Sequence, residues 1–262
     1  MFGHSGQAHG RRGLLALLLL ALLEGGTAPA GANEQPLRVA VAANFLPVAE
    51  RLSTRFTRQT GTPLRLVSGS TGKLYAQIVH GAPFDLFLAA DEARPRRLVE
   101  EGRARGAPFL YATGTLVLWS PRPGLVDQTG GVLAEGGFSR LAMANPRLAP
   151  YGRAARETLQ ALGLWSRLRS RIVRGENIAQ AFHFVVSGNA ELGFVAASQL
   201  LSRGEEGSRW VVPERLYSPI LQAGVVLTAH PAAGRFVHFI RCGEGREIVR
   251  EGGYRVAADP AC

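Results

Sequence analysis

Among its 30 basic residues the 262-residue chain has a single lysine, Lys73, and it has only two cysteines, Cys242 and Cys262. The cysteines form no C-x-x-C pair, which excludes a dithiol redox enzyme. His80, His183, His230 and His238 lack metal-ligand spacing, and His183 and His238 fall in apolar helical stretches where a core or surface role suffices. No G-x-S-x-G elbow and no paired-carboxylate motif is present, so neither an acyl-transfer nor a glycosidase site is expected. Asp85, Asp91 and Glu92 form an acidic cluster by sequence, but turn and cap positions account for them. No catalytic residue is assigned. A net charge of +10 invites a nucleic-acid reading. The arginines, however, are spread evenly and do not cluster with aromatics, so no nucleic-acid partner is expected and the positive field serves at most to attract anions.

Long hydrophobic runs are also scarce. The most continuous is "LLALLLLALL", Leu14 to Leu23, about ten residues and too short to span about 30 Å of hydrocarbon. Arg11 and Arg12 precede it and the small residues of "GGTAPAGANEQ" follow, the order of a secretory signal peptide. Residues 1–32 are read as that leader, with cleavage after Ala32 and Ala30 and Ala32 forming the A-x-A site. The Arg11-Arg12 pair fits a twin-arginine signal poorly, and no cysteine stands at the cleavage region to carry a lipid. The expected mature chain is soluble, exported to the periplasm and carries about +9, since Arg11, Arg12 and Glu24 leave together. An oxidising compartment permits a Cys242–Cys262 disulfide closing a loop of about twenty residues, and two unpaired thiols are the alternative.

The mature chain alternates short apolar runs with amphipathic stretches, the pattern of an α/β protein with largely parallel strands. "LRVAVAAN", "PLRLVSGS" and "FDLFLAAD" read as strands. Helices follow in "FLPVAERLSTRFTRQTG", with Val48, Leu52 and Phe56 on one face and a stop at Gly61, in "KLYAQIVHGA" and in "EARPRRLVEEG". "ATGTLVLWSP", Ala112 to Pro121, reads as one long apolar strand that ends this block. A second block restarts at "GFSRLAMANPRLAPYGRAARETLQALG" and continues through "SRIVRGENIAQAFHFVV" and "ELGFVAASQL". A second long strand, "YSPILQAGVVLTA", then leads to two helices. Two lobes with a two-strand hinge result: residues 33–115 and 222–262 as lobe I, residues 116–221 as lobe II.

"SGSTGKLYAQ", Ser68 to Gln77, resembles half of a nucleotide loop. Val67 stands where the first glycine of that loop is needed and Leu74 where its Ser or Thr belongs, so a magnesium-nucleotide site is excluded. What remains is a helix start able to accept an anion, with Lys73 expected to point to solvent. Three further helix starts share this character: Asn44 before "FLPVAERL", Tyr151 and Gly152 before "RAARETL", and Asn177 and Ile178 before "AQAFHF". Each leaves first-turn N–H groups unpaired at a positive dipole end. Any one of these polar residues is also an ordinary cap; four starts shared evenly between two lobes point to an anion held in the cleft.

The segments "VAVAANFLPVAERL", "SGSTGKLYAQIVHGAPFDLFLAAD", "ANPRLAPYGRAARETLQALG" and "ELGFVAASQL" resemble the periplasmic molybdate-binding proteins that deliver oxyanions to ABC importers, which have the type II periplasmic binding fold. The resemblance runs from about Leu37 to Val256. It implies a monomeric binding protein, not an enzyme, with no cofactor and with the permease of an inner-membrane ABC transporter as partner. Molybdate, and tungstate with it, would be held through its oxygens with no direct ligand to the metal. Carried over residue by residue, the neutral donors are Asn44, Ser70, Thr71, Tyr151 and the backbone N–H of Ile178. One branch of the family has Ser at the Asn44 position and a tyrosine where this chain has Ala196; the other takes its phenol from the Tyr151 position, so Tyr151 is retained and Ala196 is not. Alternatives are a tungstate-specific, phosphate or thiosulfate binding protein, a secreted hydrolase, and a sensor domain.

Overall fold

The first strand, β1 (Leu37–Ala42), is buried along nearly its whole length, as a strand covered on both faces must be. It lies between β2 (Leu64–Gly69) and β3 (Leu86–Leu88), parallel to both. The crossover is α1 (Leu46–Thr60), which turns Val48, Ala49, Leu52 and Phe56 inward at helical spacing; each large apolar side chain so buried contributes about 1.5–3 kcal/mol. Gly61, at φ 75°, ends the helix in the left-handed conformation that favours glycine. The computed structural model describes Met1, residues 35–256 and Cys262. The expected leader and its cleavage after Ala32 lie outside the described residues.

The chain continues through α2 (Thr71–Val79), α3 (Ala93–Glu100) and β4 (Arg105–Gly114), then β5 (Leu116–Ser120), α4 (Val132–Glu135), β6 (Leu141–Ala144), α5 (Pro150–Ala161) and α6 (Trp165–Leu168). After these come β7 (Ile172–Gly175), α7 (Ile178–Val186), β8 (Leu192–Ala196), α8 (Ala197–Arg203), β9 (Ser208–Val211), β10 (Ile220–Val226), α9 (Pro231–Arg241) and α10 (Gly243–Glu251). Two five-stranded sheets form, in the orders β2-β1-β3-β10-β4 and β7-β6-β8-β5-β9. Within each, four strands run one way and one is reversed: β10 in the first sheet and β5 in the second. The reversed strand is in both cases the one by which the chain enters that sheet from the other. The two halves therefore share one topology, that of a two-lobe binding fold with mostly parallel sheets.

Two expectations from sequence are corrected. Ala112–Pro121 is not one strand: β4 ends at Gly114, and beyond Thr115 β5 belongs to the other sheet. An apolar run reads the same whether or not the chain changes sheet within it. Asn44 does not cap α1, whose cap position is Phe45 and whose N-terminus has no side-chain cap. The sequence pattern also marks no strand at Ser208–Val211, where only Trp210 is buried.

The tail folds back on the first sheet. Arg255 pairs with Thr113 of β4 in an antiparallel bridge, which buries the neighbouring Tyr254. A disulfide joins Cys242 to Cys262 across a Cα separation of 5.5 Å.

Candidate functional site

Ligand sites in open α/β sheets lie beyond the carboxyl ends of the strands, and here those ends of both sheets face one cavity. Its walls are the turns after β1, β2 and β3 on one side and the starts of α5 and α7 on the other, and they leave a small cavity, about 10 Å³ of it reachable by the centre of a water-sized sphere. Asn44, Ser70, Thr71, Tyr151 and Ile178 all line it, and none is more than 3% exposed. Among the described residues no charged one lines it.

The hydrogen-bond partners show which protons are still unspent. Ser70 caps α2 by accepting the Lys73 N–H at 3.4 Å, and Thr71 Oγ1 accepts the Ala90 N–H at 3.1 Å. Both hydroxyls thus serve the protein as acceptors and keep their own proton to donate. Tyr151 Oη accepts from Gln222 Nε2 at 3.4 Å and likewise keeps its proton. Asn177 caps α7 by accepting the Gln180 N–H at 3.0 Å, which leaves the Ile178 N–H, first in that helix, without an intrahelical acceptor. Burial, reinforced by the nearby Tyr254, Tyr111 and Tyr217 hydroxyls, pushes the Tyr151 phenol well above its usual range; it is a proton donor throughout the neutral range.

Asn44 differs from the expectation. Its side-chain amide nitrogen donates to Gln222 Oε1 and to Tyr254 Oη, each at 2.9 Å. Both amide protons are spent within the protein, so the donor it keeps is its backbone N–H. Behind it, Tyr254 Oη donates to the Asn44 carbonyl at 2.7 Å and receives from Ser198 Oγ at 3.0 Å, and Tyr111 Oη lies 3.2 Å from Gln222 Oε1. Gln222, Tyr254, Ser198 and Tyr111 were not singled out from sequence. The one available signal was Gln222 itself, a lone amide in the otherwise apolar strand "ILQAGVV". Ala196 is buried at the end of β8 and is not part of the cavity wall.

At the mouth, three contacts link the two halves. The Gly72 N–H donates to the Leu148 carbonyl at 2.8 Å, Arg94 Nη2 donates to the Arg147 carbonyl at 3.2 Å, and Lys73 Nζ pairs with Glu176 at 3.2 Å. Lys73 does reach solvent, but toward a carboxylate on the facing half. The Asp91 carboxylate receives the Arg94 N–H at 3.1 Å and pairs with its guanidinium, so Asp91 holds the start of α3. Among the described residues no group of three or more His, Cys, Asp or Glu is arranged to hold a metal ion.

A family model described as bacterial extracellular solute-binding protein matches residues 37–255. The molybdate-binding protein ModA of Azotobacter vinelandii is 44% identical over 242 residues, covering 90% of this chain and 96% of that one. ModA of Rhodobacter capsulatus is 44% identical over 239 residues, 90% and 93% of the two chains. The solved structure of the Azotobacter vinelandii periplasmic molybdate-binding protein is similar with a TM-score of 0.81 at 42% identity, over 84% of this chain and 99% of that chain.

Proposed function

The chain belongs to the bacterial extracellular solute-binding protein family, and on that premise we propose that it captures molybdate in the cavity between its two sheets and delivers it to the permease of an ABC importer. It is a binding protein and not an enzyme. The observation that carries the assignment to an oxyanion is the shared sense of the cavity's polar groups: hydroxyls and helix-start N–H groups with unspent protons and, among the described residues, no cation. A hydrogen bond from a neutral donor to a charged acceptor is worth about 1.5–3 kcal/mol, so several together hold a dianion without a counter-ion. The starts of α2, α5 and α7, whose first residues line the cavity, add their dipoles in the same sense. Among the described residues no carboxylate lines the cavity to accept the proton of hydrogenphosphate, which favours a fully deprotonated tetrahedral ion. Selectivity over sulfate then follows from size, because metal–oxygen bonds are longer than sulfur–oxygen bonds; tungstate, of the same shape, is accepted with molybdate.

In this reading residues 33–115 and 222–262 form one lobe and residues 116–221 the other. The anion draws donors from both and favours the closed arrangement in which Gly72, Arg94 and Lys73 meet the facing half. The mature protein is a periplasmic monomer released by cleavage after Ala32. Thermal shift against a panel of oxyanions tests the assignment: molybdate and tungstate raise the melting temperature, while sulfate and phosphate at equal concentration leave it near the unliganded value. Thr71→Ala and Tyr151→Phe each weaken molybdate binding about tenfold or more by calorimetry, given the strength of such bonds; Tyr151→Phe changes unliganded melting little, whereas Thr71→Ala also lowers it, because the buried Ala90 N–H loses its acceptor. Sulfate binding as tight as molybdate would remove the size argument.

A further inference from the structure

Resting on the capture reading above, we propose that Gln222 is a positioning residue for the anion: it fixes the Tyr151 hydroxyl as a donor into the cavity, under the direction of a hydrogen-bond chain that begins at the Asn44 carbonyl. The direction of every bond in that chain follows from one atom that has no choice. The Asn44 carbonyl is acceptor only, so the Tyr254 hydroxyl 2.7 Å away must donate to it. Having spent its proton, Tyr254 Oη accepts from the Asn44 side chain at 2.9 Å, so the amide atom facing it is the nitrogen. That nitrogen also faces Gln222 at 2.9 Å, which requires the Gln222 atom there to be the oxygen. Gln222 Nε2 then points to Tyr151 Oη at 3.4 Å and donates to it. The phenol can receive that bond only with its own proton turned away, and the cavity is what it lines.

The chain also crosses between the two halves of the molecule. Gln222 lies on β10 and is fully buried, while Tyr151 lies in the first turn of α5. The Tyr151 hydroxyl of one half is therefore oriented by an amide of the other that need not touch the ligand. Without that amide the Tyr151 hydroxyl is no longer held donor-first, and the oxyanion must itself turn and fix it.

The test is molybdate titration by calorimetry of wild type, Gln222→Met, Tyr151→Phe and the double variant, with unliganded melting recorded for each. Gln222→Met keeps the volume and removes the polarity; it is expected to weaken molybdate about tenfold or more in the wild-type background and less than about twofold in the Tyr151→Phe background, because the two residues act through one hydroxyl. Gln222→Glu supplies a second reading. Its carboxylate accepts from Asn44 as glutamine does but draws the Tyr151 proton away from the cavity, whereas its protonated form again has a proton to give Tyr151. Molybdate binding by this variant should therefore recover as pH falls from about 9 to about 6, the range in which a buried glutamate takes up its proton, while wild type stays flat. Binding by Gln222→Met within about twofold of wild type, or an equal loss in the Tyr151→Phe background, overturns the proposal. Failure of wild type to bind any oxyanion overturns the capture reading itself, and the proposal with it.

Discussion

Ser70, Thr71 and Tyr151 each give the protein a lone pair and keep a proton, whereas Asn44 gives both amide protons to Gln222 and Tyr254. The same crowding fixes a residue with no side chain. A Cβ added at Gly114, the last residue of β4, would overlap the Tyr151 hydroxyl and lie 2.9 Å from Gln222 Nε2. Gly114→Ala must therefore push the phenol off its partner. Overpacking of this kind costs about 1–3 kcal/mol, and molybdate affinity should fall about tenfold or more while the circular dichroism spectrum is retained; unchanged affinity would show that the hydroxyl tolerates displacement. The residue types at the helix starts were legible because Ser, Thr and Asn before an apolar periodic run carry a local meaning. What each side chain does with its protons was not, because its partners come from elsewhere in the chain.

Elements were read well wherever the pattern is strong. The face of α1 at Val48, Leu52 and Phe56 and its stop at Gly61 stand as the periodicity requires. Short or half-exposed pieces such as β9 give too weak an alternation to register. The strands of the first sheet are pinned at their other ends by Asp85. Its buried carboxylate receives the Arg38 backbone N–H at 2.9 Å, the Arg38 guanidinium at 3.1 Å and the Thr228 hydroxyl at 2.8 Å. Burial alone would push this carboxyl up, but the hydrogen bonds from Arg38 and Thr228 outweigh it and hold it below its usual value. A depressed folded-state value contributes stability that is present above the unfolded value, near 3.9 for Asp, and lost as pH falls through the folded one. Asp85→Asn should cost about 1–3 kcal/mol at pH 7. The gap to wild type should narrow in denaturant titrations repeated below about pH 4, where the carboxylate contribution is lost; a gap independent of pH would mean the charge contributes nothing. The sequence placed Asp85 in a turn, which it occupies, but its partner Arg38 lies 47 residues away.

At the scale of the whole molecule two cross-links differ in weight. The Cys242–Cys262 bond spans 20 residues, and constraining a loop of that size in the unfolded chain is worth about 3 kcal/mol. Cys242→Ser with Cys262→Ser should lower the melting temperature by several degrees, as a loss of that order does in a domain of this size, and leave molybdate affinity within about twofold, since the bond lies outside the cavity. The Lys73–Glu176 pair closes the mouth, but its side chains are 53% and 42% exposed. A pair so solvated is worth about 0–1 kcal/mol. Lys73→Ala should accordingly change molybdate affinity less than about fivefold and reduce its dependence on salt; a larger loss would place the lysine among the ligand contacts. Closure then rests mainly on bonds less exposed than this pair, such as that from the N–H of half-buried Gly72 to the carbonyl of half-buried Leu148.

By itself the sequence determined the alternation of strand, turn and helix, the return of the chain through a second apolar strand, and the small polar residues that cap α2 and α7, Ser70 and Asn177. Each of these is carried by neighbours within about one helical turn or one strand, so local periodicity suffices to read them. Only the tertiary structure decided that Asn44 spends its side chain inside the protein, that Gln222 faces both Asn44 and Tyr151, and that a tyrosine from the tail stands behind them. Asn44 is separated from Gln222 by 178 residues and from Tyr254 by 210. The direction of a hydrogen bond depends on what its partner has already given away, and at such separations no local pattern records it.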